Sequence, residues 1–197
     1  MRNIWFGDNR DIVKWSTLLH VADHYNLKHI LQICFLNSQD FPPVIIDGRE
    51  FQVPGPIIQF FRDVNNAKNI CSNVTISIFD EPFNDRAVYL AHAINFISNY
   101  NSPKCVFLDP DTGLAPSKAN RTHVTNTDVH KIWQSEYMNI GDMLVIYQHQ
   151  TNRNGKAWIE EKQLQMATAI EVDVSKIKIA KGSKIAHDVV FLYTIKA

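Results

Sequence analysis

The chain has no excess of charge: Lys plus Arg and Asp plus Glu both number 20. That removes the simplest argument for a nucleic-acid partner, a strongly basic domain, and leaves room only for a local patch. Nor is there an apolar run near the ~20 residues needed to cross a bilayer. The opening MRNIWFGDNRD lacks the apolar segment of a signal peptide. The expectation is a cytoplasmic protein with no membrane partner. Cysteine is scarce. Cys34, Cys71 and Cys105 are odd in number and lack metal-ligand spacing. Cys34 and Cys105 sit in apolar runs and read as small core residues, which suits a reducing compartment. Internal repeats, low-complexity tracts and heptad seams are absent.

What is present is ordinary globular material, 45% hydrophobic and 20% charged over 197 residues, enough for one domain. Ile4–Phe6 reads as a short strand or a loop. Asp8 or Asn9 can cap a helix, with Ile12, Trp15, Leu19 and Ala22 on its apolar face. HILQICFL (29–36) reads as a buried strand. Residues 40–56 hold four prolines and two glycines and read as a loop or decorated connection. Pro56 can open a helix whose inner face carries Ile57, Phe60, Phe61 and Val64. VTISIF (74–79) reads as a strand ending at Asp80. The helix after it, from about Asp85 to Asn99, turns Ala87, Leu90, Ala91, Ile94 and Ile97 inward. CVFL ends at Asp109, a short helix spans about Asp128 to Glu136, and MLVIY ends at Gln148-His149-Gln150. NGKAWIEEKQLQMATAI is helical, and VSKIKIA and DVVFLYTIK are strands joined by Lys181-Gly-Ser-Lys184. Strands alternating with helices predict one α/β domain over 1–197: a mostly parallel, Rossmann-like sheet with helices on both faces and a C-terminal antiparallel strand pair.

In such a sheet, ligands bind beyond the carboxyl ends of the strands. Asp80, Asp109, Asp111 and Tyr147-Gln148-His149 all follow apolar runs and so become candidates. KCVFLDPDTGL is the most pointed, because the most apolar strand runs into two carboxylates either side of a proline. Each has a structural reading beside the functional one: an Asp at a strand end caps a turn, and Asp111-Thr112-Gly113 is good turn chemistry. The lysines 176, 178, 181 and 184 read as the solvated side of a hairpin. Two chemistries suit converging carboxylates. A hard-metal site of Asp80, Asp109 and Asp111, with His149 as ligand or proton carrier, would hold Mg or Mn for phosphodiester hydrolysis. Alternatively, a carboxylate and a backbone carbonyl accept both N–H bonds of an amino group and orient its lone pair.

FLDPDTG resembles the Asp-Pro-Pro-aromatic motif of class I S-adenosylmethionine-dependent amino-methyltransferases acting on adenine. Gly7-Asp-Asn-Arg-Asp-Ile-Val-Lys14 resembles the Gly-Asn-His-Ala-Asp-Val-Leu-Lys opening of the ribosomal RNA adenine-N6 methyltransferases, matching at Gly7, Asp11 and Lys14. The likeness implies S-adenosylmethionine as cofactor and RNA or DNA as partner. It places Asp109, Pro110 and Asp111 at the catalytic motif. Asp11 and Lys14 would lie at the cofactor's amino-acid end and Asp80 near its adenine. The sequence departs from the family in two places. HILQICFLNSQDFPP, without a glycine, stands where the glycine-rich cofactor loop belongs. Asp111 and Thr112 replace the second proline and the aromatic. The alternatives are a metal-dependent nuclease or phosphoesterase and a non-catalytic binding domain on the same fold. Arg121, His123, His130, Lys131 and Arg153 could form a local positive rim.

Overall fold

The computed structural model describes residues 7–37, 41–71, 73–150 and 157–197. Ile4–Phe6, Arg153 and the expected helix start at 154–156 lie outside the described residues.

Helix α1 (Asn9–His24) starts where Asp8 accepts the amides of Arg10 and Asp11, at 2.8 and 3.2 Å. The central sheet contains β1 (His29–Ile33), β4 (Thr75–Phe79), β5 (Lys104–Leu108), β8 (Met143–His149), β9 (Lys178–Ala180) and β10 (Val189–Ile195). Between β1 and β4 the chain inserts the hairpin β2 (Val44–Ile46) and β3 (Arg49–Phe51), helix α2 (Gly55–Arg62) and a 3-10 turn at 64–69. Helix α3 (Arg86–Ser98) leads into β5. A small pair, β6 (Gly113–Leu114) and β7 (His123–Val124), and helix α4 (Asn126–Trp133) follow it, and α5 (Trp158–Ile170) follows β8.

The sheet order is β4-β1-β5-β8-β10-β9. The first four strands are parallel, and β10 and β9 close the edge antiparallel. The mostly parallel α/β sheet with its antiparallel C-terminal pair is as expected. From β1 the chain moves outward to β4, then returns to place β5 on β1's other side. The winding therefore reverses between β1 and β5, the position where open α/β sheets leave a crevice.

Alternation along the strands divides the core in two. Leu31, Ile33, Val106, Leu108, Leu144 and Ile146 face α3, α4 and α5. Ile30, Cys105, Phe107, Met143, Val145 and Tyr147 face α1 and the 3-10 turn. Both faces are covered, so the parallel strands read as unbroken apolar runs.

Helix faces were less legible. On α1 the buried residues are Asp11, Val13, Lys14, Trp15, Leu18 and Ala22, while Ile12 is exposed and Leu19 half-buried. Two charged residues occupy the inward positions, which displaces the apolar face inferred from hydrophobicity alone. On α3, Leu90 and Ile97 are buried as expected, but Ala87 and Ala91 face solvent, and Tyr89 and Ala93 take the core positions. On α2, Ile57 and Phe60 are exposed, not inward. Val64 is buried, in the turn that follows.

At the amino end of β5 lies a fully buried ion pair. Lys104 donates to Asp142 at 2.8 Å, and Asp142 also accepts the backbone amides of Lys104 and Asn139 at 3.0 and 2.9 Å. Removing one member strands a buried charge. Asp142→Ala is expected to lower unfolding free energy by ~3–5 kcal/mol in urea titration, and Lys104→Met added to it to recover part of that loss.

Candidate functional site

Three residues from distant parts of the sequence meet at the β1/β5 reversal. Asp109 leaves the end of β5 on the face that carries Cys105 and Phe107, toward α1. Lys14 on α1 donates to Asp109 at 2.9 Å and to Asp11 at 2.5 Å. Gln32 of β1 adds a donor to Asp109 at 2.6 Å. The Asp109 amide continues the ladder to the Ile33 carbonyl at 2.9 Å. The Gly7 amide donates to the other oxygen of Asp11 at 2.5 Å. Lys14 lies 5.5 Å from the centre of the Tyr147 ring, a cation–π approach from β8.

This cluster is closed to solvent: Asp109 is 2% and Lys14 4% exposed. Burial would favour neutral lysine, but Asp109 and Asp11 outweigh it and hold the ammonium above its ordinary pKa. Burial pushes the Asp109 carboxyl upward, with Lys14 opposing it. Cys34, next to β1, is a buried thiol pushed up chiefly by burial, as a core cysteine should be.

The segment after Asp109 is rigidly held. Pro110 is buried. Gln148 of β8 donates to the Thr112 and His149 carbonyls at 3.1 and 2.7 Å and accepts the Leu114 amide at 2.8 Å. A Cβ on Gly113 would lie 2.3 Å from the Gln148 Oε1, and its φ is +112°, so this position requires glycine. Asn37 donates to Asp111 at 3.2 Å and to the carbonyls of Phe35 and Arg121 at 3.3 and 3.0 Å. Asp111 therefore stands at the half-buried rim, joined to the chain after β1.

The remaining candidates lie apart. Asp80 is exposed at the end of β4 and accepts from Asn65 at 2.8 Å. His149 lies 3.7 Å from Asp188, which pairs with Arg10 at 2.5 Å. Asp80, Asp109, Asp111 and His149 each have a different neighbour, and no group of three or more His, Cys, Asp or Glu able to hold a metal occurs among the described residues. Of the residues expected in a positive rim, Arg121 and Lys131 are exposed, while His130 bonds the Ala169 carbonyl at 3.1 Å. Lysines 176, 178, 181 and 184 are exposed, as expected of a solvated edge. No helix among the described residues is long and apolar enough to cross a membrane.

Sequence reasoning missed Gln32 and Asn37. Gln32 had a signal, a polar residue inside an apolar strand, since buried polar side chains need partners. Asn37 had none.

The residues at these strand ends can be tested against the implied cofactor. Lys14 is a cation suited to a carboxylate, and the exposed Asp80 carboxylate, on the strand beside β1, can accept hydroxyl or amino groups. The Lys14 ammonium is already bonded to Asp11 and Asp109 and closed to solvent, so of these two ends only Asp80 is open to a ligand. The chain matches no family model, no curated protein and no solved structure among known proteins, so its own geometry carries the reading.

Lys14→Met leaves Asp109 and Asp11 without their cation and is expected to cost ~3–5 kcal/mol by urea unfolding. Adding Asp109→Asn, which retains an acceptor for Gln32, should restore part of that. A second expectation concerns pH. Burial lowers the pKa of His149 and of His123 below the ordinary 6.5, Asp188 opposing the shift at His149. The unfolded chain then binds more protons, so stability is full above about 6.5 and falls as pH drops through it. Unfolding free energies at successive pH values should show that decline, and His149→Gln should make it shallower.

Proposed function

We propose that the chain is an S-adenosylmethionine-dependent amino-methyltransferase on a Rossmann-like sheet, acting on adenine in RNA or DNA. One observation carries this reading. The two segments that resemble the adenine-N6 methyltransferases, 95 positions apart at Lys14 and Asp109, meet within hydrogen-bond distance at the sheet's reversal point. Short motifs matched by accident have no reason to converge there.

The cofactor would supply a methyl group activated on a sulfonium. Lys14 and Asp11 would hold its amino-acid end, and Asp80 the adenine end. Asp109 and the Pro110 carbonyl would accept the two N–H bonds of the target amine and aim its lone pair. Asp109, raised by burial, is also the group placed to take the proton that the nitrogen loses. Lys14 now donates to Asp109, so a carboxylate competing for that ammonium would release Asp109 for the amine. Asp111 at the rim, tied to Asn37, would brace the motif.

A specific observation supports a second reading, a binding domain without chemistry: Asp109 is sealed by Lys14 and Gln32 and is 2% exposed. Calorimetric titration with S-adenosylmethionine and S-adenosylhomocysteine, in chelator, separates the two. Micromolar binding, about −8 kcal/mol, is expected. Asp109→Asn should retain cofactor binding and lose transfer to adenine-containing RNA or DNA. Asp109→Ala is the poorer variant, because it removes the buried acceptor that Gln32 and Lys14 share and leaves Lys14 only Asp11. No heat in either titration at two temperatures would overturn the proposal in favour of the binding domain.

A further inference from the structure

The insertion between β1 and β4 displays apolar surface that the other described residues leave exposed. Val44, Ile45, Ile46 and Phe51 of the hairpin are 45, 72, 53 and 48% exposed, and Ile57 and Phe60 of α2 are 49 and 75% exposed. Ile57 and Phe60 are three positions apart and so share a helix face. Val44, Ile46 and Phe51 share one face of the hairpin and Ile45 lies on the other, so at ~100 Å² for each partly exposed side chain one face offers on the order of 300 Å². A stable interface takes ~800 Å² from each partner, so association through this arm must also use its strand edge.

Charge narrows the occupant. Residues 41–63 carry Asp47, Glu50 and Asp63 against Arg49 and Arg62, and no lysine. An arm that binds anionic lipid or nucleic acid would be basic. This one is nearly neutral with both signs interspersed, which suits a partner of the same composition.

The strand edges narrow it further. Asp47 and Gly48, at φ +50° and +75°, form the two-residue turn that pairs Ile46 with Arg49. Residues facing across such a turn bond each other, so the backbone groups of Ile45 point away from β3. If two hairpins pair along β2 about a two-fold axis at Ile45, the two Ile45 residues exchange both backbone bonds. Val44 then stands opposite Ile46 of the second copy, and Asp47 opposite Pro43, so no like charges meet. Pairing along β3 instead sets Glu50 against Glu50, which is repulsive.

We infer that this arm is a homodimerisation element, in which β2 of two copies joins into a four-stranded antiparallel sheet centred on Ile45. The inference stands independently of the proposed methyl transfer.

Sedimentation velocity of the full chain over a wide concentration range tests it. A dimer is expected. Ile45→Lys should weaken self-association by ~100-fold or more, because the two ammonium groups meet at the axis. Ile45→Glu should do the same, and an equimolar mixture of the two variants should restore a one-to-one dimer. Ile45 is largely exposed, so thermal unfolding of each monomeric variant should match that of the wild-type chain diluted until it is monomeric, which confirms that folding is intact. A wild-type chain that stays monomeric throughout would overturn the inference, as would an Ile45→Lys variant that still dimerises. Flotation of a monomeric wild-type chain with phosphatidylcholine vesicles would also overturn it and assign the arm to a lipid surface.

Discussion

The ammonium of Lys14, buried between Asp11 and Asp109, governs how the amino-terminal helix sits on the sheet. It is the inward-facing group of α1 at the height of the strand ends. Without a carboxylate beneath it that face of the helix could not close over β1 and β5, because an unpaired buried ammonium is prohibitively costly. The same contact fixes which face of α1 is inside. Once Lys14 and Asp11 point inward, Trp15, Leu18 and Ala22 follow at helical spacing and Ile12 is turned to solvent. Gln32 and the Tyr147 ring complete a polar pocket within an otherwise apolar layer. Buried ion pairs are poor sources of net stability, yet they discriminate strongly against mispacked arrangements that strand a charge.

From that pair the carboxyl end of the sheet is built outward. Asp109 starts a short segment that Gln148 holds from β8 and Asn37 holds from the chain after β1. Three adjacent parallel strands thus contribute to one rigid rim, as strand-end sites on α/β sheets require. The amino end of the sheet has its own buried pair, Lys104 with Asp142, which anchors β5 to the turn before β8. With β5 held at both ends, the position of Asp109 is determined by the framework and not by its loop.

The insertion after β1 follows a different logic. Its hairpin and helix are locally well specified, by a two-residue Asp47-Gly48 turn and by Pro56 in the first turn of α2. Their apolar side chains stay about half or more exposed, so a single copy leaves much of that surface in water. Local folding and burial are therefore separated in this segment, and that separation marks it as a surface for association.

How far the sequence could be read depends on the range of the forces involved. The alternation of strands and helices, the helix starts at Asp8 and Asp85 and the strand ends at Asp80 and Asp109 follow from short-range pattern and capping, and they stand in the structure. Asp11, Lys14 and Asp109 were legible as candidates through resemblance. That they form one ion-paired cluster, that Asp80 and His149 stand apart from it, and that Asn37 ties Asp111 to the chain after β1 was decided only in three dimensions. So was the exposure of Ile57 and Phe60, which a helical period alone assigns to the core. The reason is physical: periodicity reports that a residue lies on a face, but which face is buried depends on the pairing of charges and surfaces from distant segments. By itself, the sequence determined the order of the elements and the residue types at the strand ends. The tertiary structure decided that Lys14 meets Asp109, because a buried charge is tolerated only where the fold supplies its counter-charge.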